Sequence, residues 1–89
     1  MKKYYLRDIL ETDEARFLFK ICHFHNITLE QTGYKNKSNS ILKGLVIDRN
    51  KAEEILNRLR MYESVWRDDL KSVLDKLSRK FMLEKEEIR

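Results

Sequence analysis

The sequence predicts a mainly α protein: a small helical domain with a central β-hairpin and a long C-terminal helix or αα-hairpin. Three observations carry that reading. Apolar residues recur at helical spacing from Ile55 to Phe81. A second helical pattern covers residues 13–25 behind a good start signal. The only two glycines, Gly33 and Gly44, lie between these patterns and there is no proline, which concentrates the turns in the middle of the chain. The 89 residues are read as one domain, 1–89, because two halves would each be too small to fold alone. Its parts are N-terminal helices over 1–26, a hairpin or irregular basic segment over 27–49, and a helix or helix pair over 50–86.

Residues 4–10 read as a short helix, with Tyr5, Leu6, Ile9 and Leu10 on one face. Thr12 suits an N-cap, and Asp13 and Glu14 follow in the first turn, where the helix dipole favours negative charge. On a helical wheel over 13–25, Phe17, Leu18, Ile21, Cys22, Phe24 and His25 fill one broad arc. Arg16, Lys20 and His23 fall together on the opposite side. Asn26 is a plausible stop.

Residues 27–48 admit two readings. ITLEQTGY and SILKGLVID are rich in β-branched residues and flank GYKNKSN, which describes a hairpin with a basic tip. The rival is a short helix presenting Ile41, Leu42, Leu45 and Val46, which Gly44 would weaken by about 1 kcal/mol. The strand reading is preferred.

From Asn50 onward NKAE reads as a capping box, with Asn50 the cap and Glu53 three residues later. Ile55, Leu59, Tyr62, Trp66, Leu70, Val73, Leu77 and Phe81 then form one stripe at steps of three and four. Opposite charges four apart, such as Glu54/Arg58 and Lys71/Asp75, suit a solvated outer face. A break near Glu63–Ser64 would give two helices; the unbroken phase favours one, about 54 Å long. Leu59, Tyr62, Trp66, Leu70, Val73, Leu77 and Phe81 are therefore either core against the 13–25 helix or a seam for a partner. Packing within the chain is the default, and a homodimer remains the working expectation.

Chemistry is sparse. ICHFHNIT holds the only cysteine and both histidines. On a helix Cys22 and His25 lie about 60° apart while His23 points away, so the three cannot converge on one ion. A Cys22–His25 nucleophile pair would sit in the apolar arc, where a thiol is hard to ionise. No glycine-rich phosphate loop is present, and Asp68/Asp69 and Glu53/Glu54 diverge as helix neighbours. No enzyme activity, metal, cofactor or small-molecule substrate is expected. A single cysteine, no signal peptide and no membrane-length apolar run suggest a cytoplasmic protein.

The formal charge is +4, and its excess is local: 31–47 has no acidic residue but carries Lys35, Lys37 and Lys43. Such a footprint suits a polyanion. The expected function is a small intracellular nucleic-acid-binding regulatory protein. Lys35, Lys37 and Lys43 would contact phosphate, Arg16, Lys20 and His23 would support them, and Asn36 and Asn39 are the candidates for reading bases of double-stranded DNA. The alternative is a helical adaptor or inhibitor acting by protein–protein binding, with Tyr62 and Trp66 as anchors. A composition rich in lysine, isoleucine and asparagine and poor in alanine fits an AT-rich genome, as in a phage or mobile element.

EQTGYKNKSNSILKGL resembles the turn and recognition helix of helix-turn-helix proteins. It departs from them at Asn39, where an apolar residue belongs, and lacks about one turn ahead of Thr32. LVID followed by a capped helix and Ser64 is similar to the order of ribbon-helix-helix proteins, but the long N-terminal region is not. Neither pattern covers half the chain, and neither family is assigned.

Overall fold

The computed structural model describes residues 2–32 and 43–83. Three helices pack around one core beside a small antiparallel sheet. Strand β1 (Tyr4–Tyr5) leads into a 3-10 turn (Leu6–Asp8), then helix α1 (Thr12–Phe24), strands β2 (Glu30–Gln31) and β3 (Leu45–Ile47), and helix α2 (Arg49–Leu59). A second 3-10 turn (Arg60–Tyr62) connects α2 to helix α3 (Glu63–Phe81). The mainly α class predicted from sequence is the class observed.

The expected helix at 4–10 is not formed. Tyr4 and Tyr5 pair with Ile47 and Val46 at the edge of the sheet, which has the order β1-β3-β2. A seven-residue helix gains few hydrogen bonds against its nucleation cost, whereas aromatic residues suit a half-buried strand. The helical phase survives just beyond. Ile9 and Leu10 both donate backbone N–H to the Leu6 carbonyl at 2.9 Å, and Leu6 and Leu10 are buried.

Helix α1 starts one residue early. Glu11, not Thr12, is the cap, and the Glu14 carboxylate reaches back to accept the Glu11 N–H at 2.9 Å. The buried residues are Ala15, Leu18, Ile21 and Cys22. Phe24, placed by the wheel in the apolar arc, is 73% exposed instead. The buried arc is centred on the Leu18–Cys22 side, and Phe24 lies at its edge. Asn26 ends the helix in the left-handed region (φ 61°), a conformation asparagine tolerates, and Ile27 N–H closes onto the Cys22 carbonyl at 2.8 Å.

The hairpin reading holds where the chain is described. Glu30 faces Val46 and Gln31 faces Leu45, and Thr32 N–H bonds the Gly44 carbonyl at 2.8 Å. Lys43 and Gly44 have helical backbone immediately before β3. The tip, 33–42, lies outside the described residues.

Two expectations about the C-terminal half are corrected. The cap of α2 is Asp48, not Asn50: its Oδ1 accepts Lys51 N–H at 2.9 Å. Strand β3 ends at Ile47, leaving Asp48 extended and free to cap. The favoured single helix is also not formed, and the alternative of two helices is the one observed. The helical run breaks at the Arg60–Tyr62 turn, and α3 folds back against α2 as an αα-hairpin. Ser64 does not cap the second helix; Tyr62 precedes it with no side-chain cap. Arg60 holds the bend together by bonding Glu63 and, at 3.2 Å, Asp75. Burial alone would raise the Asp75 carboxyl, but Lys71 and Arg60 outweigh it and hold it below the usual carboxylate range. The turn is only three residues long, so the three-and-four spacing of apolar residues in the sequence runs through the break without a gap. The hairpin buries Ile55, Leu56 and Leu59 with Leu70, Val73, Leu74, Leu77 and Phe81. Helix α3 ends at Met82 in the left-handed region (φ 56°), with Leu83 N–H on the Ser78 carbonyl at 3.0 Å.

Candidate functional site

Each residue expected to touch nucleic acid falls into one of three groups. Lys35, Asn36, Lys37 and Asn39 lie outside the described residues. Lys43 is exposed at the base of the hairpin. Arg16, Lys20 and His23 are exposed together on the outer face of α1, as helical spacing requires. Arg16 lies 3.7 Å from Asp13, whose side chain is 96% exposed, so that pair is water-screened and weak. Lys20 and His23 make no ion pair among the described residues.

The face is joined to the hairpin by a groove. Phe19 and His23 of α1 line a cavity of about 370 Å³ together with Asn26, Ile27, Thr28 and Leu29, the segment leading into β2. The left-handed turn at Asn26 is what reverses the chain and lays this segment back along α1. The helix face carrying Lys20 and His23 is therefore continuous with the strand leading toward the basic segment of the sequence.

A second basic cluster, not foreseen from the sequence, sits at the N-terminus. The ammonium groups of Lys2 and Lys80 lie 5.5 Å and 4.4 Å from the centre of the Tyr4 ring, and Arg7 lies 4.5 Å over Tyr5. Tyr4 also packs edge-on against Phe81, with centroids 5.6 Å apart. KKYYLR sets cations on both sides of two rings, a signal that could have shown this, but Lys80 is too distant in sequence to be placed beside them. Strand register runs β1 toward the Leu45 end of β3, so Arg7 and Lys43 share the end at which 33–42 attach.

The Cys22–His23–His25 cluster separates. Cys22 is buried, and that burial pushes its thiol up to about 12. His23 faces the groove. The His25 ring lies between Phe24 (5.1 Å) and Tyr62 (4.4 Å), with its Nε2 buried and unpartnered, while its carbonyl accepts from Arg58 at 2.7 Å. Among the described residues no three His, Cys, Asp or Glu side chains are grouped to hold a metal ion, and no helix is long and apolar enough to cross a membrane.

The C-terminal stripe is divided. Leu59, Leu70, Val73, Leu77 and Phe81 are buried within the chain, which removes them as a partner seam. Tyr62 is half-buried and Trp66 is 38% exposed. Beside them Met61 and Val65 are 71% and 65% exposed, and Phe24 approaches from α1 through His25. Phe17 meets Trp66 edge-on at 5.7 Å. The result is an open apolar band along the α1/α3 seam. Compared with protein-family models, curated proteins and solved structures, the chain matches none.

Proposed function

We propose that this is a small, non-enzymatic, cytoplasmic nucleic-acid-binding protein that uses the outer face of α1 and the adjoining hairpin. The observation that supports it is the continuity of exposed Lys20 and His23 with the groove leading into the hairpin. Lys43 and Arg7 lie at the end of the sheet from which the acid-free segment containing Lys35 and Lys37 departs. Phosphate contacts from these cations would position the strand, and Asn36 and Asn39 are the residues available to read base edges of double-stranded DNA.

The test is duplex affinity against salt, read by fluorescence anisotropy. Phosphate neutralisation predicts a log–log slope of about −0.9 per contact, and Lys20→Ala with Lys43→Ala should flatten the slope by up to about 1.8. Lys35→Ala with Lys37→Ala should flatten it similarly. An absence of binding at low salt contradicts the proposal.

One observation favours a second reading, an adaptor that works by binding protein. Phe24, Met61, Val65 and Trp66 expose large apolar surface at one end of the molecule, the kind of patch that marks an interaction site.

A further inference from the structure

We infer that the apolar band along the α1/α3 seam is the contact face of a two-fold dimer, and that its occupant is a second copy of this chain. The inference concerns a different surface from the polyanion face and does not depend on it.

The band has a fixed direction. At one end Arg58 reaches the His25 carbonyl at 2.7 Å, and the His25 ring meets Phe24 edge-on and Tyr62 at a tilt. At the other end Asp13 and Asp69 line one cavity with Phe17, the ring that meets Trp66. Helix α1 spans the distance between these ends, about 18 Å from residue 13 to residue 25. Arg58 also pairs with Glu54 at 3.4 Å and Asp13 with Arg16 at 3.7 Å, exposed pairs that water screens, so the surface still reads cation, apolar aromatic centre, anions.

A surface with this polarity is complementary to itself. A two-fold axis through the centre of the band lays the Phe24–Trp66 region of one copy on the same region of the other, and reverses the ends. Asp13 and Asp69 of each copy then approach Arg58 of the partner. Isologous contacts have this property by symmetry. An unrelated acidic or basic partner would meet repulsion at one end of the band. Nucleic acid would meet Asp13 and Asp69 beside the largest ring. The alternative of leaving the band in water exposes four large apolar side chains on a chain of 89 residues. Rigid rings at the centre and charges at the rim are the usual distribution of an interface. A band one helix pair wide makes a small contact, so the dimer belongs to the weak, reversible class.

The experiment is sedimentation equilibrium of the full chain from about 10 μM to about 1 mM, a range that brackets weak association. Reversible dimerisation is expected. Phe24→Glu should weaken it at least tenfold while circular dichroism stays unchanged, since Phe24 is 73% exposed. Asp69→Arg should also weaken it, and combining Asp69→Arg with Arg58→Glu should restore it. Arg58 bonds within its own chain, so if that double variant unfolds, Asp13→Lys with Asp69→Lys is read instead and should weaken association on its own. A wild-type monomer throughout the range overturns the inference, as does a dimer indifferent to Phe24→Glu. The duplex–salt measurement stands apart: a monomer that binds DNA sinks the dimer alone, and a dimer that ignores DNA sinks the nucleic-acid proposal alone.

Discussion

The two ends of helix α3 carry one apolar stripe and meet opposite fates. From Leu70 to Phe81 the stripe is closed, with Leu70, Leu74 and Leu77 at 0% exposure. From Tyr62 to Trp66 it stays open, and Val65 at 65% exposure lies beside it. The sequence pattern is the same in both halves, so periodicity does not account for the difference; cover does. The closed half lies under α2 and the sheet and is tied to α1 by Glu14, which bonds Lys76 at 2.7 Å and Ser72 at 3.4 Å. The open half has α1 on one side only, where Phe17 meets Trp66 and His25 meets Tyr62. A helical stripe states which face seeks burial; the reach of neighbouring elements decides how much of it is buried.

This contrast can be broken first at the closed end. Leu74→Ala should cost about 2–5 kcal/mol in urea unfolding, from lost transfer energy and the cavity left behind. A cost below 1 kcal/mol would mean that the closed half is not the core.

The next effect concerns the thiol under α1. Burial holds Cys22 protonated up to about 12, from a usual value of 9.0. The folded pKa lies above the unfolded one, so the thiol's contribution to stability is whole below pH 9 and is lost as pH rises from about 9 to about 12. Alkylation at pH 8.5 should therefore track global unfolding and accelerate only with denaturant. Rapid modification of the folded chain would place Cys22 at the surface.

The tie between α1 and the closed end gives a smaller effect. The Lys76 ammonium beside Glu14 holds its carboxyl below the usual range. A lowered folded pKa gives stability that is present above the unfolded carboxylate range and lost as pH falls through the folded value. Glu14→Gln should cost about 1 kcal/mol at neutral pH and make the acid limb of the stability curve shallower. An unchanged acid limb would show that this pair does not anchor α1.

Val65→Ala should be the smallest, within about 0.5 kcal/mol, because the residue is 65% exposed. A loss comparable to that of Leu74→Ala would erase the contrast between the ends.

Much of this fold was legible in the sequence. The stripe through Leu70 and Phe81, the stop at Asn26 and the pairing of the ITLEQ and LVI segments follow from period and turn chemistry. The break at Arg60–Tyr62 was legible only as the less favoured alternative near Glu63–Ser64, because the apolar spacing runs through it and the bend is held by Asp75, fifteen residues from Arg60. Strand β1 was missed because its reason for extending is Ile47, which no local pattern around Tyr4 reveals. Phe24 was placed inside because a wheel assigns a face without showing where the covering helix ends. For the candidate site, helical spacing alone put Lys20 and His23 on one exposed face. The basic corner of Lys2, Tyr4 and Lys80 needed the fold to bring its parts together.

The central claim is that the open end of the stripe is left open for a second copy, and the chain's single tryptophan reports on it directly. Acrylamide quenching of Trp66 should be measured across the concentration range of association. Quenching that falls as concentration rises, and stays high at every concentration in Phe24→Glu, is the predicted result. Quenching of the wild-type chain that does not change with concentration would contradict it.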